Sequence, residues 1–178
     1  VTWGNAPDGG DSTAVATSLD GTVDVVDLRA TTSAFAALRA DGSVVAWGDQ
    51  ISGGDTGLVL ALLDGSVDVT RMASTTSAFA ALRADGSVVA WGDPYAGGDT
   101  GGAASALDGS VDVVRVYGSD TAFAALRSDG SVVTWGSEAH GGDSGAVAAQ
   151  LNGDIDVIAI FSTDQAFAAL RSDGSVVT

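Results

Sequence analysis

Tryptophan recurs along this chain at a constant spacing of 44 residues, at Trp3, Trp47, Trp91 and Trp135. Self-similarity with a period of roughly 20 to 50 residues is the signature of solenoids, propellers and other tandem-repeat folds. The 178 residues therefore hold four units and the first two residues of a fifth. We predict one tandem-repeat region over 1–178, with units at about 1–44, 45–88, 89–132 and 133–176 and the next unit starting at 177–178.

Each unit contains the pattern of a β-hairpin. In the first unit, Asp41-Gly42 separates the apolar runs 34–39 and 44–48. Glycine accepts the positive φ that a tight hairpin turn requires. The preceding run 23–28 is rich in β-branched residues, which favours a further strand. The sequence thus predicts about three antiparallel strands per unit.

A short helix is predicted between each hairpin and the next unit. In the second unit, Asp55 follows two glycines, 56–63 contains helix-forming residues, and Asp64-Gly65 ends the run. This pattern favours about two helical turns with the aspartate as N-cap. Coordination of a hard cation is the alternative for the repeated aspartates. They are Asp11, Asp55, Asp99 and Asp143.

Hairpins repeated in tandem favour propeller-like blades over a parallel β-helix, whose strands lack hairpin turns. The predicted fold class is mainly β, with each 44-residue repeat forming about three antiparallel strands and a short helix. An open β-solenoid or superhelical array is the alternative.

The segment 78–92, Ala-Phe-Ala-Ala-Leu-Arg-Ala-Asp-Gly-Ser-Val-Val-Ala-Trp-Gly, resembles the repeat of the regulator of chromosome condensation family. That repeat, A-L-x-x-D-G-x-V-x-x-W-G, implies one propeller blade, with about seven blades to a ring. The resemblance extends over all four copies. The short unit is most similar to the bacterial secreted members, such as the β-lactamase inhibitor protein of that repeat type.

Two departures from the family pattern limit what the resemblance implies. Thr and Ser stand in the loop before A-L, where the family has Gly followed by an aromatic residue or His. Gly-Gly-Asp replaces the G-Q-L-G that follows Trp-Gly in the family. Nucleotide exchange and β-lactamase inhibition depend on loop residues of particular members, so the resemblance implies the fold and not an activity.

The charge balance excludes several classes of partner. Seven basic residues, all arginine, stand against 22 Asp and one Glu, which gives a net charge of −16. A field of this sign repels nucleic acid and anionic membrane surfaces. No apolar run approaches the ~20 residues of a membrane-spanning helix. Because cysteine is absent, disulfides and thiolate chemistry are excluded. We therefore predict no nucleic acid and no membrane insertion.

No catalytic, cofactor or metal site is predicted. His140 is the only histidine, and Ala96 and Ser52 occupy its position in other units. A histidine base needs an orienting partner, and no repeated acid, base and nucleophile set accompanies it. We expect a protein that is not an enzyme and has no cofactor.

The repeated aromatic and charged residues are predicted to be structural. The tryptophans and Phe35, Phe79, Phe123 and Phe167 are expected in the core rather than in an aromatic ligand ring. Each arginine before the hairpin turn is expected to bridge to the aspartate two residues on, as Arg39 to Asp41. Four further aspartates are expected to face solvent: Asp24, Asp68, Asp112 and Asp156.

The loops before each phenylalanine are the candidate binding sites. They vary more among the copies than the hairpin strands do, and binding residues are commonly carried by loops on a rigid scaffold. Their hydroxyls also suit O-linked sugar. The predicted ligand or glycan residues are Thr31, Thr32, Ser33, Thr75, Thr76, Ser77, Ser119, Asp120, Thr121, Thr163, Asp164 and Gln165.

Val1-Thr2 repeats Val177-Thr178 in register, so the chain begins and ends within the same strand of the unit. This favours an excerpt of a longer array, with a closed or engineered four-unit ring as the alternative. The leading hypothesis is a non-enzymatic structural or adhesive repeat protein, part of a secreted or surface array that can form fibres. It is expected to contact copies of itself or neighbouring repeats. The alternative is a propeller module that binds a protein or glycan through the loops.

Overall fold

The computed structural model describes all 178 residues and contains four three-stranded antiparallel sheets, each built from consecutive strands. The strands are β1 (Val25–Ala30), β2 (Ala34–Arg39), β3 (Val44–Gly48), β4 (Val69–Ser74), β5 (Ala78–Arg83), β6 (Val88–Gly92), β7 (Val113–Gly118), β8 (Ala122–Arg127), β9 (Val132–Gly136), β10 (Val157–Ser162), β11 (Phe167–Arg171) and β12 (Val176–Val177).

The predicted hairpin is present in every unit. In the second sheet, β5 pairs with β6 and places Phe79 opposite Trp91. The turn between them contains Gly86 at φ 77°, a conformation that glycine adopts without the steric cost of a side chain. β4 pairs with the other edge of β5, with a bulge between Val69 and Arg71.

The hydrophobic core lies between neighbouring sheets. Successive side chains of a strand point to opposite faces. On β5, therefore, Phe79 packs in the cluster shared with the first sheet, while Ala80 and Leu82 pack in the cluster shared with the third. A similar cluster joins the third and fourth sheets. Sheets stacked face to face in chain order are propeller blades, as the sequence predicts.

A short helical segment is present in every unit, as predicted, but it consists of 3-10 turns and not of α-helix. Asp55 does not cap a helix; its carboxylate accepts a hydrogen bond of 2.7 Å from the Gly57 N–H and closes a local turn instead. The segment then forms 3-10 turns, which suit short runs. These and the neighbouring helical turns are Ala6–Asp8, Thr13–Ser18, Leu60–Leu62, Pro94–Ala96, Gly101–Ala106, Glu138–His140 and Gly145–Gln150, with a π-type turn at Gln50–Gly54. None of the helices has the length and apolar character needed to cross a membrane.

The four sheets form an open arc. No hydrogen bond joins the first unit to the fourth, and Trp3 is 85% exposed. β12 contains only two residues and pairs with β11 alone. The closed four-unit ring, in which Val1–Gly4 would complete the last sheet of its own chain, is therefore not formed.

Candidate functional site

A tryptophan, a phenylalanine and a glycine form the junction between consecutive units. The Trp91 Nε1–H donates to the Gly53 carbonyl at 3.0 Å, and the indole stacks on Phe79 with ring centroids 5.3 Å apart. Trp47 and Trp135 make the same contacts in their units. These three tryptophans are buried, as predicted, whereas Trp3 is exposed. Phe79 and Phe123 are fully buried; Phe35 and Phe167 are half-buried.

The first hydroxyl of each of the first three predicted loops bonds to the segment that follows the hairpin. The Thr75 hydroxyl donates to the Ala96 carbonyl at 3.0 Å and accepts from the Ala78 N–H at 3.0 Å. Thr31 and Ser119 make the equivalent bonds. These hydroxyls therefore fasten the loop to the following Gly-Gly segment.

The second loop position links neighbouring units. The Thr32 N–H donates to the Thr76 carbonyl at 2.9 Å, the Thr76 N–H to the Asp120 carbonyl at 2.8 Å, and the Asp120 N–H to the Asp164 carbonyl at 2.8 Å. The hydroxyls of Thr32 and Thr76 donate to the same carbonyls. This series, which we call the loop ladder, consists of Thr32, Thr76, Asp120 and Asp164.

The remaining loop residues differ from unit to unit. The hydroxyls of Ser33 and Ser77 make no hydrogen bond, whereas the Thr121 hydroxyl lies 2.6 Å from His140 Nδ1. In the fourth loop, Thr163, Asp164 and Gln165 are all exposed. The half-buried His140 has no acidic partner in hydrogen-bond contact. No cluster of three or more His, Asp or Glu side chains is arranged to hold a metal ion.

The hairpin turns hold four of the seven arginines. Arg83 Nη1 lies 3.3 Å from Asp85 Oδ2, and the predicted bridge also forms at Arg39, Arg127 and Arg171. Hydrogen bonds from the Ser87 hydroxyl and then its N–H, with Arg83 nearby, hold the pKa of Asp85 below its usual range. The aspartates Asp24, Asp68, Asp112 and Asp156 are exposed, as predicted.

The other three arginines line one groove on the inner strands β1, β4 and β7. Arg71 and Arg115 occupy equivalent positions in consecutive units, and Arg29 lies on β1. The groove encloses a cavity of about 400 Å³ whose other lining residues include Asp27, Thr70 and Tyr117. We call this feature the arginine groove.

The arginine groove carries positive charge in a strongly acidic protein. Arg29 Nε is paired with Asp27 Oδ2 at 3.0 Å. The Arg71 side chain makes no hydrogen bond or ion pair. The Arg115 guanidinium lies over the Tyr117 ring, 5.1 Å from its centroid. Planar guanidinium groups bind carboxylates and phosphates in bidentate fashion. The groove thus presents two unpaired guanidinium groups to a ligand.

The arginine groove is not evident from the repeat pattern of the sequence. Arg71 and Arg115 are 44 residues apart. The equivalent positions in the first and fourth units are Asp27 and Ala159, so arginine at this position is not part of the pattern common to all four copies. The sequence does contain one indication of it. Four of the arginines belong to the hairpin turns, and the remaining three all lie in the first strand of a sheet.

No protein-family model matches the sequence, and no curated protein matches it. Solved structures do share its architecture, and the fold that they and the sheets define is a β-propeller similar to that of yeast RCC1 (Prp20). Prp20p from Saccharomyces cerevisiae, a structure described with its binding properties to Gsp1p and histones, has a TM-score of 0.58 at 20% identity. The match covers 92% of this chain and 45% of Prp20p.

Two further similar structures come from other organisms. Human WBSCR16 matches with a TM-score of 0.55 at 16% identity over 94% of this chain and 51% of that protein. The ectodomain of the Physcomitrella patens receptor kinase CR4 matches with a TM-score of 0.56 at 14% identity, over 85% of this chain and 37% of that one. This chain thus spans about half the length of its structural neighbours or less.

Proposed function

We propose that this chain is a non-enzymatic binding module that holds an acidic segment of a partner protein in the arginine groove. The observation that carries the proposal is the pair Arg71 and Arg115, the two arginines of the chain without an ion-pair partner, in one cavity on adjacent inner strands. Elsewhere the surface is dominated by aspartate, so an acidic ligand is attracted to this groove and repelled by the rest.

The groove has the mixed chemistry of a recognition site. The Tyr117 ring already holds the Arg115 guanidinium in place. The Arg115 side chain therefore loses less conformational entropy when a ligand binds. The hydroxyl of Thr70 donates to the Leu82 carbonyl at 3.1 Å and keeps the bulge beside Arg71 in place. Charged hydrogen bonds in a preorganised groove are stronger than those of mobile surface side chains.

A binding assay with a fluorescein-labelled peptide of six aspartates tests this function. At about 0.15 M salt the Debye length is about 8 Å, so the distant aspartates are screened while contacts in the groove remain. The double variant Arg71→Ala/Arg115→Ala is expected to bind the peptide roughly tenfold more weakly or worse. The control Ser66→Asp/Ser110→Asp makes the same change in net charge at exposed positions away from the groove. Equal losses in both variants would refute the groove as the site.

The loops remain a second proposed contact surface of this module. The free hydroxyls of Ser33 and Ser77 and the exposed residues Thr163, Asp164 and Gln165 are the positions we propose for contact with a protein or glycan. The first hydroxyls, at Thr31, Thr75 and Ser119, are occupied by intramolecular hydrogen bonds and serve the scaffold.

A structural or adhesive role is the second candidate function. The observation that favours it is the repetition of one Trp-Phe-Gly junction three times along the chain, since a unit built this way adds to another by the same contacts. In this role the chain is part of a secreted or surface array and contacts neighbouring repeats or copies of itself. Detection of the natural protein outside the cell by fractionation is the expected result; recovery only from the cell interior would contradict a secreted array.

A further inference from the structure

The two arginines without an ion-pair partner lie on strands that approach each other closely. A Cβ atom on Gly118 of β7 would lie only 2.4 Å from the Ser74 carbonyl oxygen of β4, and the loop ladder joins the same two units just after these residues. Arg71 and Arg115 precede Ser74 and Gly118 by three residues on the same strands, are exposed and line one cavity. Their guanidinium groups are therefore placed to contact one ligand together.

The charges of the arginine groove favour a compact ligand. Arg29 and Asp27 neutralise each other at 3.0 Å, and no other aspartate or glutamate lines the cavity, so the two positive charges of Arg71 and Arg115 remain. Asp27 occupies in the first unit the position that these two arginines occupy in the next two units. Carboxylates that extend across the groove towards β1 meet a pair that is already neutral and gain little there. A ligand with two charges in one group uses both free arginines.

A phosphate monoester has the charge and the number of oxygens that this pair of arginines requires. At pH 7 it carries a charge of about −1.5 to −2 and three terminal oxygens, whereas a carboxylate carries one charge and two oxygens. A guanidinium group donates two parallel hydrogen bonds to acceptor oxygens of this kind. Three oxygens allow two guanidinium groups to bind one phosphoryl group from two sides at the same time.

Further donors and one rigid contact surround the two arginines. Ser74 and Tyr117 line the cavity, and their hydroxyls make no hydrogen bond within the chain, so they are available to phosphoryl oxygens. The Tyr117 ring holds the Arg115 guanidinium in place, while the exposed Arg71 side chain is free to turn towards a bound group. The groove thus combines one fixed and one adjustable guanidinium.

We propose that the acidic segment held in the arginine groove contains a phosphorylated side chain, and that its phosphoryl group binds between Arg71 and Arg115. The inference rests on the proposed binding function and names its ligand class: a segment of a partner protein that contains phosphoserine or phosphothreonine. Phosphorylation of the partner adds up to two negative charges at one residue. It therefore determines whether the segment binds a protein whose surface is otherwise acidic.

Two fluorescein-labelled peptides of equal charge test the ligand class. One contains a single phosphoserine flanked by glycines, and the other contains two adjacent aspartates in its place. At pH 7.5 and about 0.15 M salt, where the Debye length is about 8 Å, the phosphoserine peptide is expected to bind roughly tenfold more tightly, because bidentate hydrogen bonds add to the attraction between charges. The unphosphorylated serine peptide lacks both charges, serves as control and is expected to show no binding.

The pH dependence separates the two peptides further. The second ionisation of a phosphate monoester has a pKa of about 6, whereas aspartate in a peptide has a pKa of about 3.9. Binding of the phosphoserine peptide is therefore expected to strengthen as its second charge forms between about pH 5 and pH 7, while binding of the two-aspartate peptide stays constant. The titratable groups that line the groove are Asp27, Tyr117, Arg29, Arg71 and Arg115. Because both peptides meet these groups, the two-aspartate peptide reports any change in the groove itself.

Variants of the two arginines locate the phosphoryl group. Arg71→Lys/Arg115→Lys keeps the charge but replaces each planar guanidinium by an ammonium group, which cannot donate two parallel hydrogen bonds. This variant is expected to lose most of the preference for phosphoserine while it still binds the hexa-aspartate peptide. Ser66→Asp/Ser110→Asp changes exposed residues outside the groove and is expected to keep the preference.

Three results would overturn the proposal. One is equal affinity for the phosphoserine and two-aspartate peptides. Another is a phosphoserine preference that survives in Arg71→Ala/Arg115→Ala, since the phosphoryl group would then bind elsewhere. The third is displacement of the labelled phosphoserine peptide by inorganic phosphate at the same concentration as by the unlabelled peptide, which would make a free anion the ligand and not a segment of a protein.

The same assays separate failure of this inference from failure of the binding function. If hexa-aspartate binds in the groove but phosphoserine has no advantage over two aspartates, the binding function stands and its phosphorylated ligand is refuted. If hexa-aspartate, the phosphoserine peptide and the two-aspartate peptide all fail to bind, the groove itself is refuted as a binding site.

Discussion

At the scale of single residues, glycine determines how closely a unit approaches its predecessor. Gly97 has φ 92°, and a Cβ atom placed there would lie 2.6 Å from the ring of Phe123. Its carbonyl accepts the Trp135 indole N–H at 3.0 Å. Both the backbone conformation and the short approach to the buried ring therefore require a residue without a side chain.

Replacement of this glycine is expected to destabilise the protein. Gly97→Ala combines a strained positive φ with overpacking against Phe123, for a loss of roughly 2–4 kcal/mol in the free energy of unfolding. Urea denaturation measures it. The control is Gly102→Ala, where no atom lies within 4 Å of the added Cβ and φ is not positive; it is expected to be neutral or slightly stabilising. Equal effects would show that the junction tolerates a side chain.

The tryptophans provide a second matched pair at this scale. Trp91→Ala removes a buried ring that packs on Phe79 and is expected to cost about 3–5 kcal/mol. Trp3→Ala removes an exposed ring and is expected to change stability by about 0.5 kcal/mol or less when measured at concentrations that keep the chain monomeric. Thermal unfolding of the two variants checks the difference. A large loss for Trp3→Ala would mean that this residue packs within its own chain.

The repeat made the buried tryptophans predictable, since a large apolar residue kept next to glycine in every copy belongs to a packed junction. The same reasoning failed at Trp3, whose side chain is exposed, because the phenylalanine and glycine that enclose each buried tryptophan come from the unit before it. Arg71 and Arg115 were not predicted. Their side chains face a groove and not a packed core, so packing does not require the same residue type at this position in every unit.

At the scale of elements, the hairpin turn joins an arginine, an aspartate and a serine. Asp129 accepts from the Ser131 hydroxyl and N–H, with distances of 2.5 and 3.0 Å. Hydrogen bonds from Ser131, with Arg127 nearby, keep the pKa of Asp129 low. A carboxyl whose folded pKa lies below its unfolded value stabilises the fold above the unfolded pKa, near 3.9, and this contribution disappears as the pH falls through the folded pKa.

Neutralising the turn aspartates is expected to reduce the acid sensitivity of the fold. The variant Asp41→Asn/Asp85→Asn/Asp129→Asn/Asp173→Asn is expected to be less stable than the parent at pH 7. The gap is expected to narrow below about pH 4, where the parent loses its own contribution. Urea denaturation at a series of pH values measures the gap. Substituting Asn at Asp24, Asp68, Asp112 and Asp156 makes the same charge change at exposed positions and serves as control; a similar narrowing there would assign the effect to net charge.

The strands and turns were predictable from the sequence because short apolar or β-branched runs and Asp-Gly turns are local signals. The short helical segments were predicted, but their 3-10 form and the role of the aspartate before them were not. Asp55 and Gly57 close a turn of their own, and the short apolar run that follows is anchored by a hydrogen bond from Val44 to Leu63. That contact comes from the preceding unit, so local propensity does not reveal it.

At the scale of the whole molecule, stability is distributed along a line of units. A tandem array is approximated by the stability of each unit plus the contacts with its two neighbours. The second and third sheets have a neighbour on both faces. The fourth sheet has a neighbour on one face, and its last strand contains only two residues. We therefore expect the fourth unit to open before the middle ones.

Hydrogen exchange provides the test of this gradient. Amides of β5 and β8 are expected to exchange most slowly and those of β11 and β12 faster, because local opening of an end unit breaks only one interface. Mass spectrometry of peptides from the four equivalent strands compares them at identical local sequence. Uniform protection across the four units would indicate that the chain unfolds as a single cooperative body.

The distribution of the tryptophans has an optical consequence. Three indoles share one setting, each stacked on a phenylalanine and bonded to a glycine carbonyl, while the fourth is surrounded by water. The emission of the dilute protein is therefore expected to separate into a red component that acrylamide quenches and a blue component that it does not reach. Replacing Trp3 by phenylalanine removes the first and leaves a spectrum that reports only on whether the units remain in contact. Each of the three junctions between units therefore contains one tryptophan in the same surroundings, whose fluorescence reports on that junction.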